Sequence, residues 1–289
     1  MSKSPTAREG ATDDARGGEA VYVYCVGEGD SLGPVFAAGR LPHAIEEASP
    51  LALVEAGGLA AVASAVPLAD YGEEALAERM SVPEWTAVRA MLHERVVEFF
   101  SRRADVVPLR FGTIYLTRAR VASMLEERRA ELRSIIERLR GREEWGVNVY
   151  ADRAKFREAV VNVSPALREL SAQAASASPG QGYLLRKKIE SMRADEARAE
   201  TRRVAREVEE GLAGAAEGSA RLRVHKDESG EQGETAARLA FLVRRDAFGE
   251  FCAAAERLAE RYTPLGFRFE LTGPWPAYNF ADEERKDGG

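Results

Sequence analysis

Apolar residues recur along this chain in two rhythms, and the alternation of those rhythms predicts its elements. Residues 21–26 (Val-Tyr-Val-Tyr-Cys-Val) are β-branched and aromatic and end at Gly27 and Gly29, which predicts a buried strand. A short helix is predicted over 34–47. Apolar runs over 51–55 and 59–65 flank Gly57-Gly58, a two-residue hairpin signal. From Pro83 to Phe100 the residues Trp85, Val88, Leu92, Val96 and Phe99 return every three or four positions. That spacing predicts one face of a helix, with Ser81 as its N-cap and Pro83 in its first turn. Asp105 to Leu109 reads as a strand. A single helix is then predicted from about Thr117 to Arg140, burying Val121, Leu125, Leu132, Ile135, Ile136 and Leu139, with Gly141 after its last turn.

The order then begins again. Trp145 to Tyr150 predicts a strand, and Asp152 to Leu170 a helix interrupted at Pro165. Residues 171–182, rich in Ser, Ala and Gly, read as a loop. A charged helix is predicted over 183–216. Strands over 219–226 and 236–245 flank a polar hairpin loop at 227–235. Ala247 to Tyr262 reads as a helix with Phe248, Phe251, Cys252, Ala255, Leu258 and Tyr262 on one side, and Phe267 to Leu271 as a last strand. The strand–helix–strand–strand–helix–strand cycle thus occurs twice, the second time with a helical insertion over 152–216. This predicts an α+β chain of two ferredoxin-like modules, 19–116 and 143–281, joined by a helix over 117–142. In the long helix Leu185, Ile189 and Met192 begin a coiled-coil-like seam, Glu196 interrupts it, and Val204, Val208 and Leu212 resume it in a shifted register. The reading favours an intramolecular helical hairpin, on the helix before the 171–182 loop or on the 117–140 helix, over an intermolecular coil.

Charge narrows the choice of partner. Lys+Arg is 41 and Asp+Glu 47, a net charge of −6 that gives no overall attraction to nucleic acid or anionic lipid. Cys25 and Cys252 lie far apart in apolar stretches, against a disulfide framework and consistent with a reducing cytosol. Residues 1–18 are polar, lack the apolar core of a signal peptide and are expected to be disordered; 282–289 are charged and expected to fray. No run approaches the ~20 apolar residues of a membrane span. A cytoplasmic protein is expected.

Candidate chemistry is sparse. Gly27-x-Gly29-x-x-x-Gly33 follows a strand, but its spacing is one residue longer than the dinucleotide fingerprint. His43, His93 and His225 have no partner at metal-ligand spacing, and His93 reads as a half-buried helix residue. There is no Cys-x-x-Cys, Gly-x-Ser-x-Gly or phosphate loop. Glu143 and Glu144 read as a solvated surface pair. The expectation is no enzyme, no metal and no cofactor.

Two segments stand out. In Pro108-Leu109-Arg110-Phe111-Gly112-Thr113 an arginine ends a strand between two apolar residues. Arg110 is read first as a buried or half-buried cation paired with a carboxylate, and second as a docking residue. The other is Gly273-Pro274-Trp275-Pro276-Ala277-Tyr278-Asn279-Phe280. Its prolines stiffen the backbone and require the last strand to end near Gly273. Trp275 is expected to plug the protein's own core, with Tyr278 and Phe280 more exposed and free for a partner.

These segments resemble the F/L family of gas-vesicle proteins. The resemblance also covers Tyr22-Val23-Tyr24, the His93 helix, Glu144-Trp145-Gly146-Val147, Pro179-Gly180, Tyr183-Leu184 and Phe241-Leu242-Val243. Ala277 stands in place of a second proline, Asn279 in place of a serine and Asn148 where a lysine is usual. The resemblance implies a cytoplasmic, non-enzymatic accessory or minor structural protein in forming the gas vesicle. Its implied partners are the small hydrophobic shell protein and other accessory proteins, with no nucleic acid, membrane or cofactor. The residues expected to form a protein-binding or structural motif are Arg110, Phe111, Gly112, Gly273, Pro274, Trp275, Pro276, Tyr278 and Phe280. The alternative is a regulatory protein holding a small ligand with its paired modules.

Overall fold

The computed structural model describes residues 18–224 and 233–282. The expectations for the tails beyond those limits, and for most of the hairpin loop, fall outside the described residues. The chain divides after Arg140 into two units, each built on its own antiparallel sheet.

In the first unit the strand predicted over 21–26 is β1 (Glu19–Glu28), and every residue from Val23 to Val26 is fully buried. Such a run fits only a central strand. β1 lies between β3 (Leu59–Pro67) and β4 (Val106–Pro108), β2 (Leu51–Ala56) flanks β3, and the short β5 (Ile114–Tyr115) also pairs with β1. Between β2 and β3, Gly57 and Gly58 hold φ of 60° and 80°, the left-handed pair that a tight hairpin requires.

The helices correct several expectations. α1 spans Gly29–Ala37, not 34–47. It starts a turn before Pro34 because burying Leu32 draws the chain into a helix straight off β1, and Gly39 and Arg40, both at positive φ, stop it. After α2 (Leu68–Tyr71) and α3 (Glu73–Met80), α4 runs Pro83–Ser101, as its periodicity predicts. Its N-cap is Val82; the Ser81 hydroxyl instead donates to the Glu78 carbonyl at the end of α3. Its buried face is His93, Val96, Val97 and Phe100, while Val88 is 51% exposed. The α4 rhythm supports two adjacent faces, and packing on β1 and β4 selects the one that carries the histidine. The single helix predicted over 117–140 is two, α5 (Arg118–Glu127) and α6 (Arg129–Leu139), broken at Arg128. All six predicted stripe residues are buried, so the break leaves the apolar pattern intact.

In the second unit β6 (Arg142–Ala151) is central, α7 (Arg153–Val163) and α8 (Pro165–Ser176) meet at Ser164, and α9 is a 35-residue helix, Pro179–Ala213. β7 (Gly218–Arg221), β8 (Glu234–Arg244), α10 (Phe248–Tyr262) and β9 (Phe267–Trp275) complete it. The sheet order is β7-β8-β6-β9. Ser164 accepts a hydrogen bond from Leu167 N–H, so Pro165 starts a helix here. The loop expected over 171–182 shrinks to Ala177 and Ser178. Alanine is a strong helix former, and small residues let α8 and α9 close together: a methyl group on Gly182 would lie 3.2 Å from the Ala174 carbonyl oxygen. Val147, Val149, Ala237, Leu239, Phe241 and Val243 line one face of the sheet and pack on residues such as Phe156, Leu167, Val208 and Phe251 from the four helices. α9 packs on α7, α8 and α10.

Candidate protein-interaction segments

The Pro108–Thr113 segment is tied to the first unit at almost every residue. Leu109 N–H donates to the Tyr24 carbonyl and Val23 N–H to the Thr113 carbonyl, both at 2.9 Å. Gly112, at φ 84°, donates its N–H to the Tyr22 hydroxyl at 3.0 Å, and Thr113 Oγ1 donates to the Arg110 carbonyl at 2.7 Å. Beneath the turn, Tyr22 Oη lies 2.9 Å from His93 Nδ1, and the Phe111 ring meets Tyr22 and His93 edge-on. The next layer joins Tyr24, Ser64 and the Ile45 N–H, then Tyr71, Glu46 and Arg89, with the Arg89 guanidinium 4.7 Å from the Trp85 ring centre.

His93 is 3% exposed, not half-buried as expected. Burial pulls its pKa down to about 4, a bond to the Leu109 backbone offsetting part of that, so the imidazole is neutral near pH 7. Burial likewise pushes the Tyr24 phenol up to about 12 and the Tyr22 phenol further. This network is an anchor, packed and hydrogen-bonded, with uncharged phenols and imidazole at its centre and the Arg89–Glu46 ion pair at its edge. What it anchors is Arg110, which is exposed. The expectation of a buried or half-buried cation fails because the turn aims residue 110 outward while Phe111 covers the aromatic layer.

The C-terminal segment also departs from expectation. β9 runs through Pro274 to Trp275. Its ladder to β6 passes from Gly146↔Thr272 to Glu144↔Trp275, so Gly273 and Pro274 together oppose Trp145. A bulge on an edge strand accommodates a proline because no ladder bond is asked of it. Gly273 has φ 127°, and a methyl group there would lie 3.0 Å from the Glu144 carbonyl oxygen.

Trp275 is 48% exposed, and its Nε1 donates to Thr272 Oγ1 at 3.1 Å. It does not plug the core. Pro276, Ala277 and Ala281 are buried instead, and Tyr278 and Phe280 are half-buried in a 3₁₀ turn. The Phe280 ring closes over Gly218, beside Leu242 on the sheet face opposite the helices; a methyl group on Gly218 would lie 3.0 Å from it. Glu144 fastens this turn. Its carboxylate accepts the Asn279 N–H at 2.9 Å and the Asn279 side-chain amide at 2.6 Å. Glu144 is 5% exposed, so reading it as a solvated carboxylate is corrected. The signal lay in the strand's length: with β6 starting at Arg142, Glu144 falls inside the ladder, in phase with Gly146 and Asn148. Asn279 supplies both donors.

Among the described residues no group of three or more His, Cys, Asp or Glu could hold a metal ion, and no helix is long and apolar enough to cross a membrane.

A mixed fold of two antiparallel sheets with many helices defines the class, and solved structures share it. The crystal structure of the gas vesicle protein GvpF from Anabaena sp. PCC7120 superimposes with a TM-score of 0.65 at 15% identity, over 94% of this chain and 99% of that one. That of GvpF from Microcystis aeruginosa gives 0.55 at 15% identity, over 91% and 99%. At that identity the likeness concerns the fold alone. The sequence decides the rest: residues 20–282 match the family model described as gas vesicle synthesis protein GvpL/GvpF, and the chain belongs to that family. Gas vesicle protein L of Streptomyces sp. (strain CB03234) is 32% identical over 241 residues, 82% of this chain and 85% of that protein.

Proposed function

We propose that this protein is a non-enzymatic accessory or minor structural protein of gas-vesicle formation. It binds the hydrophobic shell protein and other accessory proteins in the cytoplasm, at the growing vesicle, with no cofactor, nucleic acid or membrane involved. The observation that carries this reading, beside family membership, is that Arg110 and Trp275 are exposed on backbone fixed by buried networks. Contact residues held this way lose little entropy on binding. Phe111, Gly112, Gly273, Pro274, Pro276 and Phe280 then serve as supports, and Tyr278 is a half-buried rim residue. Strand orders with the first strand between the third and fourth support reading both units as ferredoxin-like modules, the second carrying α7–α9 as a coiled-coil-like insertion.

The test is co-purification of the shell protein and the other gas-vesicle proteins with wild type and with Arg110→Ala/Trp275→Ala. The expected result is reduced recovery at an unchanged melting temperature. Undiminished recovery would remove these residues from the contact surface. Normal vesicles in cells lacking the protein would remove the function. The ligand-binding alternative needs an enclosed apolar pocket with converging polar groups. No observation favours it; the surface groove between Val35, Phe99, Arg40 and Arg103 stays open to solvent.

A further inference from the structure

The hairpin of α8 and α9 turns at Ala177 and Ser178, and its tip is locally basic. From Leu170 to Ile189 the chain carries Arg186, Lys187 and Lys188 and no Asp or Glu, within a protein of net charge −6. Further along α9 carboxylates are interspersed and three of the five cations pair within the helix: Arg193 with Glu190, Arg198 with Asp195, Arg203 with Glu200. None of the three tip cations has a carboxylate partner among the described residues. Tyr183 is 54% exposed and Leu184 67%, one helical turn before Lys187 and Lys188, so these four side chains share one outward face. Lys187 lies over the Tyr183 ring, 5.5 Å from its centre. The opposite side of the helix is spent on packing, with Gly182 and Ile189 buried.

We propose that this tip is a docking surface for an acidic, partly aliphatic segment of another gas-vesicle protein. The inference rests on the function proposed above and names the chemistry of one partner. Cations left without carboxylates beside two exposed apolar side chains are complementary to carboxylates beside an aliphatic residue. Such charge pairing sets orientation and rate of encounter while the apolar pair is buried. A protein segment is favoured over a membrane because two apolar side chains give too little area to hold a helix in lipid.

The test places the photo-crosslinker p-benzoylphenylalanine at position 184 of the full chain, in cells that make vesicles. It is run with and without Lys187→Glu/Lys188→Glu, and the captured peptide is sequenced. The expected peptide comes from another gas-vesicle protein and carries acidic residues beside an aliphatic one. Its yield should fall about tenfold with the double charge reversal and return when the acidic residues of the captured segment are changed to lysine. No cross-link, a peptide without acidic residues, capture of phospholipid or of a second copy of this chain, or a yield indifferent to charge reversal would each overturn the proposal. Deleting the gene separates the two readings. Vesicles lost on deletion with cross-linking indifferent to charge remove only this inference; vesicles retained on deletion remove the function it rests on.

Discussion

Glu144→Gln tests how the C-terminal segment is held. The wild-type carboxylate is buried and accepts two N–H groups from one residue, Asn279, at 2.9 and 2.6 Å. A hydrogen bond to a charged acceptor contributes about 1.5–3 kcal/mol and one to a neutral acceptor about 0.5–1.5 kcal/mol. Glutamine preserves shape and can offer its oxygen to one of the two donors, but it sets an NH₂ group against the other. The expected loss is about 2–3 kcal/mol. If the segment opens locally, that loss raises the opening equilibrium about 30- to 150-fold. The assay is native-state hydrogen exchange at the Asn279 amide and its neighbours, beside thermal unfolding. Exchange should accelerate by that factor around 277–281 while the amides of β8 keep their protection. A double variant with Asn279→Ala should cost less than the sum of the two single changes, since both weaken the bond from the Asn279 side-chain amide to Glu144. Unchanged exchange at Asn279, or strict additivity in the cycle, would refute the assignment of Glu144 as the fastening group.

Three further outcomes follow from the same geometry. His93 has a folded pKa of about 4 against an ordinary 6.5, so the unfolded chain binds more protons between those values. Its contribution is complete above pH 6.5 and is lost as pH falls toward 4, about 3 kcal/mol in all; His93→Gln should flatten that part of the melting-temperature–pH curve. Arg110→Leu and Trp275→Ala should each leave stability within about 0.5 kcal/mol of wild type, as exposed side chains do, and a sharp drop in melting temperature for either would reinstate a buried role. Gly273→Ala should cost about 1–3 kcal/mol through its positive φ and its approach to the Glu144 carbonyl, and equal melting temperatures would contradict the bulge.

The sequence by itself determined what depends on local rhythm and on family pattern. The buried β1 run, the Gly57-Gly58 hairpin, the stripe from Val121 to Leu139, the break at Pro165 and the two segments worth examining were all legible, because period, turn chemistry and proline are properties of neighbouring residues. Tertiary structure decided whatever depended on which face of an element meets something else. α4 could bury Leu92 or His93 with nearly the same periodicity, and β1 and β4 selected the face with the histidine. Glu144 reads as a surface carboxylate until β6 is extended by three residues and Asn279 is brought to it from 135 positions along the chain. Arg110 and Trp275 look like core residues by their apolar neighbours, yet a turn and a bulge aim both outward, because burial is fixed by backbone direction and not by the company a residue keeps in sequence.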